Sequence, residues 1–217
     1  MKLNVIYEDN HIIVVEKPAG VPTQADYTKD MDMYNLVRDY LKEKYNKPGQ
    51  AFVGIVHRLD RPVGGIMVFA KTSKGASRLS EQVRNRTFKK IYLAEIEGHL
   101  ENKTGTLENY LVKNEKKNMS FVSNKEDENA KLAKLDYEVI KEKRSSSIIR
   151  VTLHTGRHHQ IRLQFANIGH PLIGDAKYGI DKKGRSEVML WAYSLEFKHP
   201  TKDEIMKFDI KPGWLNV

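Results

Sequence analysis

The spacing of apolar positions along this 217-residue chain changes several times, and each change marks an element. Leu3 to Tyr7 and His11 to Glu16 are short apolar runs separated by Glu8-Asp9-Asn10, which predicts a hairpin at the start. Lys17-Pro18-Ala19-Gly20 then breaks the pattern with turn residues. From Met33 to Tyr45 the apolar residues Leu36, Val37, Tyr40 and Leu41 recur near helical spacing with charges between them, so an amphipathic helix is expected. Gly65 to Ala70 reads as a short buried strand. Ser73 reads as the cap of a helix reaching Asn85, with Ala76, Leu79, Ser80 and Val83 inward. Alternation returns at Phe88 to Glu97, ending at Gly98, and strands are expected at Lys134 to Ile140 and Ile148 to His154. A helix over His159 to Ile168 closes at Gly169, and Trp191 to Lys198 and Ile205 to Ile210 are the last strands. Lys113 to Asn129 is charged and poor in apolar residues, which predicts an exposed hairpin or mobile insertion. Strands outnumber helices and connections are tight, so the expected class is α/β (α+β), with helices packed on a largely antiparallel sheet.

Composition narrows the chemistry. With 40% hydrophobic and 30% charged residues the chain reads as an ordinary globular protein, and no apolar run approaches the roughly 20 residues of a membrane helix. There is no repeat and no low-complexity tract. The N-terminus enters a strand pattern without a signal-like segment, so no export and a cytoplasmic location are expected. The absence of cysteine excludes disulfides, thiolate nucleophiles and cysteine zinc sites. A formal charge of +9, from 37 Lys+Arg against 28 Asp+Glu, favours a polyanionic partner.

Three segments carry candidate chemistry. In His57-Arg58-Leu59-Asp60-Arg61-Pro62-Val63-Gly64-Gly65 one carboxylate lies between two arginines, just before a buried strand. Neighbouring cations favour its charged form, as a carboxylate nucleophile requires, and the glycines permit close backbone approach to a ligand. Taken alone, an Arg-x-Asp-Arg pattern is more often a surface loop of weak ion pairs. In His154-Thr155-Gly156-Arg157-His158-His159-Gln160-Ile161-Arg162 a strand passes through a turn into a helix. We assign Arg157 to a phosphate and Arg162 to a bidentate pairing with the Asp60 carboxylate. His154 and His158 stand four apart, a metal-ligand spacing only if one helix holds both, and Thr155-Gly156 interrupts them. No metal is expected. In Phe88-Lys89-Lys90-Ile91-Tyr92, Tyr92 sits on a strand, either half-buried against the core or stacked on an extruded base.

The runs HRLDRPVGGIMVFAKT, KKIYLAEIEG and TGRHHQIRLQFANIGHPLIGDAKYG, in that order, resemble the RluA-type pseudouridine synthases. The resemblance extends from KPAGVPT to WAYSLEFKHP. It implies the pseudouridine synthase fold, a central antiparallel-rich sheet crossed by a catalytic cleft, over 1–217 as a single catalytic domain without the N-terminal RNA-binding module that members often carry. It places the catalytic aspartate on Asp60, the active-site tyrosine on Tyr92 and the carboxylate-pairing arginine on Arg162. His57, Arg58, Arg61, Lys89, Arg157, His159 and Gln160 become the expected RNA contacts. The implied activity is isomerisation of uridine to pseudouridine in tRNA or ribosomal RNA, by a monomer, with no cofactor. The resemblance departs in two places: Val63-Gly64-Gly65 stands where Thr-Ser-Gly is common, and His158 stands where a small residue is typical. Two rivals remain: an RNA-binding protein that keeps the fold without turnover, and a metal-dependent hydrolase built on the histidines.

Overall fold

The computed structural model of the protein describes residues 1–25, 28, 30–179 and 187–216. Two compact units make up the chain, Met1–Lys90 with Ala192–Val217, and Ile91–Trp191. Both are built on mainly antiparallel sheets, giving the mixed α/β class expected.

The first unit opens with the predicted hairpin, β1 (Asn4–Glu8) and β2 (Ile12–Lys17), paired antiparallel. Asp9 shapes the turn: its Oδ1 accepts from the backbone N–H groups of His11 and Ile12 at 2.7 and 2.9 Å. Helix α1 (Met33–Lys44) is capped by Asp32, whose carboxylate accepts from the Asn35 N–H at 3.0 Å, and it buries Met33, Val37 and Leu41 four residues apart. A two-residue strand β3 (Gly54–Ile55), not anticipated, pairs with β4 (Gly64–Ala70). Every residue of β4 is buried, as a continuous apolar run bounded by turns suggests. Helix α2 (Ser73–Arg84) is capped by Thr72 rather than Ser73, because it is the Thr72 hydroxyl that accepts from the Gly75 N–H at 3.1 Å.

The second unit holds most of β5 (Lys89–Glu97), then β6 (Thr104–Asn114), β7 (Met119–Ser123), β8 (Lys131–Glu142), β9 (Ser146–Leu153) and helix α3 (Gln160–Asn167). Its strand order is β5-β9-β8-β6-β7. The charged stretch from Lys113 is indeed a hairpin, but its first strand begins nine residues earlier than the charge pattern marked, at Thr104. The chain then returns to the first unit with β10 (Leu190–Lys198) and β11 (Ile205–Asp209), paired antiparallel, and ends in a short 3-10 turn at Gly213–Asn216. The first unit's core brings Ile12, Val14, Ile66, Val68, Leu79, Leu195 and Phe197 together, with Phe88 stacked on Phe197 at 5.0 Å. Gly65 lies in this packing with φ of +124°, and a Cβ there would meet the Ala192 carbonyl oxygen at 2.3 Å. The close approach that its missing side chain permits is therefore to β10.

Lys17 ends β2 with 0% exposure. Its Nζ donates to the carbonyl oxygens of Pro18 (3.0 Å), Arg61 (3.0 Å) and Val63 (2.6 Å). Two of these carbonyls belong to the loop between β3 and β4, so one buried amine ties that loop to the hairpin. Burial pushes the amine down to about 7; the Asp60 charge opposes that shift and the Arg61 charge adds to it. Lys17→Met is expected to lose about 2 kcal/mol in urea unfolding at neutral pH, since Val63 keeps an unmet carbonyl. The sign of the pH dependence follows from the same shift. The unfolded chain holds this proton up to about 10.5 and the folded chain releases it near 7, so the unfolded state binds more protons in between. The stability of the wild type relative to Lys17→Met should therefore rise as pH climbs through that window; a difference flat in pH would show that the amine does not titrate there.

Candidate active site

Asp60 occupies the loop between β3 and β4, partly exposed, at the head of a turn closed by the Val63 N–H on the Asp60 carbonyl at 3.0 Å. The loop is held from three sides. Lys17 grips the carbonyls of Arg61 and Val63. Thr23 clips Leu59 twice, its hydroxyl donating to the Leu59 carbonyl at 2.9 Å and accepting from the Leu59 N–H at 3.1 Å. The Gly20 N–H donates to the Arg61 carbonyl at 2.9 Å, while Arg61 Nε donates back to the Gly20 carbonyl at 3.1 Å. Such reciprocal bonds fix backbone on both sides of Asp60 and leave its side chain at the surface of a rigid turn.

The flanking residues diverge. Arg58 is exposed. Arg61 turns toward the segment before α1, where it pairs with Asp30 and donates to the Thr28 hydroxyl at 3.2 Å. His57 points inward: Nε2 accepts from the Val68 N–H at 3.2 Å and the ring packs 5.6 Å from Phe88. Burial, helped by the Lys90 charge, pushes its imidazole down to about 3, so the ring is neutral and carries its proton on Nδ1. Lys89 is exposed and paired with Glu196 at 2.6 Å. Tyr92, two residues into the second unit, is buried on β5.

In the second unit Arg162 lies on α3 with 3% exposure and holds Asp175 in a bidentate pair, Nε to Oδ2 and Nη2 to Oδ1 both at 2.7 Å. Burial alone would raise the Asp175 carboxyl. The guanidinium and the N–H groups of Lys177 and Tyr178 instead hold it below the usual carboxylate range. The turn before α3 is organised by Gln160. Its Oε1 accepts from the Thr155 hydroxyl (2.7 Å) and the Arg157 N–H (3.1 Å), and its Nε2 donates to the Lys134 carbonyl (3.1 Å). Arg157 Nε donates to the Leu132 carbonyl at 2.9 Å. His159 caps α3 in the left-handed region, φ +54°, with no side-chain capping bond.

The histidines go to separate partners. His154 Nε2 meets Asp136 Oδ2 at 2.6 Å, an acidic neighbour that the linear sequence hides. His158 Nδ1 lies 2.9 Å from the Ser120 hydroxyl, and His159 Nδ1 lies 2.9 Å from the Tyr178 hydroxyl. Burial and the Arg162 charge push His159 down to about 2, so it too is neutral.

Sequence reasoning missed Lys17, Thr23, Asp175 and Tyr178. The signal for the last two was present in Gly174-Asp175-Ala176-Lys177-Tyr178-Gly179, an acid and an aromatic between two glycines. No helix among the described residues is long and apolar enough to cross a membrane.

A family model described as RNA pseudouridylate synthase matches residues 11–167, a span that contains Asp60, Tyr92 and Arg162. The chain is 36% identical over 222 residues to an RNA pseudouridine synthase of Aquifex aeolicus, covering 96% of this chain and 69% of that protein. It is 32% identical to the ribosomal large subunit pseudouridine synthase D of Nitrosomonas europaea, covering 95% of this chain and 61% of that one. Among solved structures, human RNA pseudouridylate synthase domain containing 4 shares the fold, with a TM-score of 0.84 at 20% identity over 98% of this chain and 90% of that one. Matched over most of its length, the chain belongs to the RNA pseudouridylate synthase family, whose members are isomerases.

Proposed function

We propose that the two units work as one catalytic domain that isomerises specific uridines in tRNA or ribosomal RNA, with Asp60 as the catalytic carboxylate. The observation that carries this reading is the Asp60 loop itself. A partly exposed carboxylate stands on a turn immobilised by a buried amine, a threonine clip and an arginine bracket, inside the span that matches the family. A surface loop of weak ion pairs has no need of such backing.

The reaction breaks the bond from sugar to ring nitrogen, rotates the base and joins the sugar to ring carbon 5, from which a proton leaves as the nitrogen gains one. Nothing is oxidised or added, so this reading requires neither cofactor nor metal. Asp60 acts either by attacking the sugar or by abstracting a proton beside the anomeric carbon, and both roles need an ionised carboxylate in a dry site. Arg162 is assigned to that carboxylate on the strength of the family motif. A stacked uridine must first be extruded, at a cost of a few kcal/mol. Tyr92 is assigned to stack on the extruded base and Arg58 to fill the vacated place. Arg61, Lys89 and Arg157 are assigned to flanking phosphates. His57, His159 and Gln160 are at least nine-tenths buried, so we assign them to shaping the backbone behind this surface. Monomeric action in the cytoplasm completes the reading.

Asp60→Asn is expected to bind RNA like the wild type and to lose at least about 1,000-fold in turnover, read by tritium release from uridine-labelled RNA. Substantial residual turnover would remove Asp60 from the chemistry, while binding without turnover in the wild type would favour the non-catalytic rival. Arg157→Ala should weaken RNA affinity and lower the slope of log affinity against log salt by about 1. Arg162→Ala should instead abolish turnover at nearly unchanged affinity; equal losses of affinity in the two variants would contradict this division.

A further inference from the structure

The structure builds an enclosure around Arg162 that the reading above leaves without a role. Asp175 is 1% exposed and grips one edge of the guanidinium through both oxygens at 2.7 Å. The same Oδ1 accepts from the N–H groups of Lys177 (2.9 Å) and Tyr178 (3.1 Å), so the carboxylate that holds the arginine also folds the loop it stands on. The loop turns back tightly: the Gly179 N–H donates to the Asp175 carbonyl at 2.7 Å, and a Cβ on Gly179 would meet that oxygen at 2.3 Å. This return brings the Tyr178 ring over the guanidinium, 5.4 Å from its carbon to the ring centroid.

Tyr178 is fixed at its other end. Its hydroxyl accepts from the Ser120 N–H on β7 at 2.7 Å, so its own proton is directed to His159 Nδ1, 2.9 Å away at the start of α3. Neutral His159 is the matching acceptor. Arg162 is thus held in plane by a carboxylate and out of plane by an aromatic face. A guanidinium presents its donors in a rigid planar fork, so fixing one edge and one face sets the direction of every other N–H bond.

We propose that Asp175 and Tyr178 are positioning residues for the isomerisation, setting the guanidinium plane of Arg162 and, through it, the catalytic carboxylate. The proposal rests on the assignment of Arg162 made above. Stability alone does not call for this arrangement, because a buried ion pair is often replaced by apolar residues at no loss. Asp175→Asn keeps the size and one acceptor of the side chain but turns an NH2 group toward the guanidinium, so the edge contact is lost with little change in volume. Tyr178→Phe keeps the ring and removes only the hydroxyl that ties it to Ser120 and His159.

The test compares Asp175→Asn, Tyr178→Phe, Arg162→Ala and the Arg162→Ala/Asp175→Asn double variant in the full chain. It measures thermal melting, RNA affinity, and kcat and KM for tritium release across pH. Asp175→Asn should lower kcat about 100-fold, the cost of a misplacement near 1 Å, with KM unchanged and the acid limb of the rate profile moved to higher pH. Tyr178→Phe should lower kcat roughly fivefold, because the ring stays in place but the two hydrogen bonds that anchor it are lost. The double variant should be no slower than Arg162→Ala, because both changes remove one device. An inactive Arg162→Ala beside wild-type kcat in Asp175→Asn and Tyr178→Phe overturns the positioning role alone. A fully active Arg162→Ala overturns the assignment of Arg162 on which it rests. Should Asp175→Asn fail to fold, Tyr178→Phe decides: a reduced kcat at wild-type melting temperature supports the role, and an unchanged kcat refutes it.

Discussion

A primary amine taken wholly out of water has to be met by acceptors, and Lys17 is met by three backbone carbonyls at once. That constraint links the end of β2 to the loop bearing Asp60. The hairpin that opens the chain thereby becomes part of the site's foundation. Two of the three acceptors lie one and three residues beyond Asp60, so the loop cannot drift without leaving a buried donor unmet. Thr23 and Gly20 act on the same loop from the other side, by bonds that run in both directions.

The second unit solves a similar problem with different chemistry. There the buried cation is a guanidinium, whose planar charge is matched edge-on by Asp175 and faced by Tyr178. Lysine suits a site where round charge meets carbonyls converging from several directions, and arginine suits one where orientation has to be transmitted. Each cation lies beside a turn rather than at the middle of a sheet. Turns present free carbonyl and N–H groups in the directions such contacts need, whereas a paired strand has already committed them.

Much of this was legible in the sequence because it follows from local rules. Alternation, unbroken apolar runs and helical spacing located β1, β2, α1, β4 and β5 to within a residue or two. The start of β6 was not legible: of its eleven residues only Leu111 is buried, and it opens on Thr104-Gly105-Thr106, which offers no apolar residue to mark a strand. The α2 cap fell one residue early because Thr72 and Ser73 are both good caps and geometry chose between them. Asp60, Tyr92 and Arg162 stood out through their motifs. Asp175 did not, because an aspartate between glycines reads as a turn former and its partner lies thirteen residues away. Lys17 was hidden by its type, lysine being among the residues least often fully buried.

The way Lys17 is satisfied also bears on which sequences this loop can accept. The chain carries Val63-Gly64-Gly65 at the entry to β4, with Val63 two residues from an arginine and three from the proposed catalytic carboxylate. Lys17 contacts position 63 through the carbonyl oxygen, a group that every amino acid supplies. A threonine in place of the valine there would thus be invisible to the amine, although the valine side chain itself is buried. Gly65 is different in kind, because a Cβ there would strike the backbone of Ala192 on β10. Contacts made through main-chain atoms let the side chains vary around a fixed geometry, which is how a loop diverges in composition while its carboxylate stays in place.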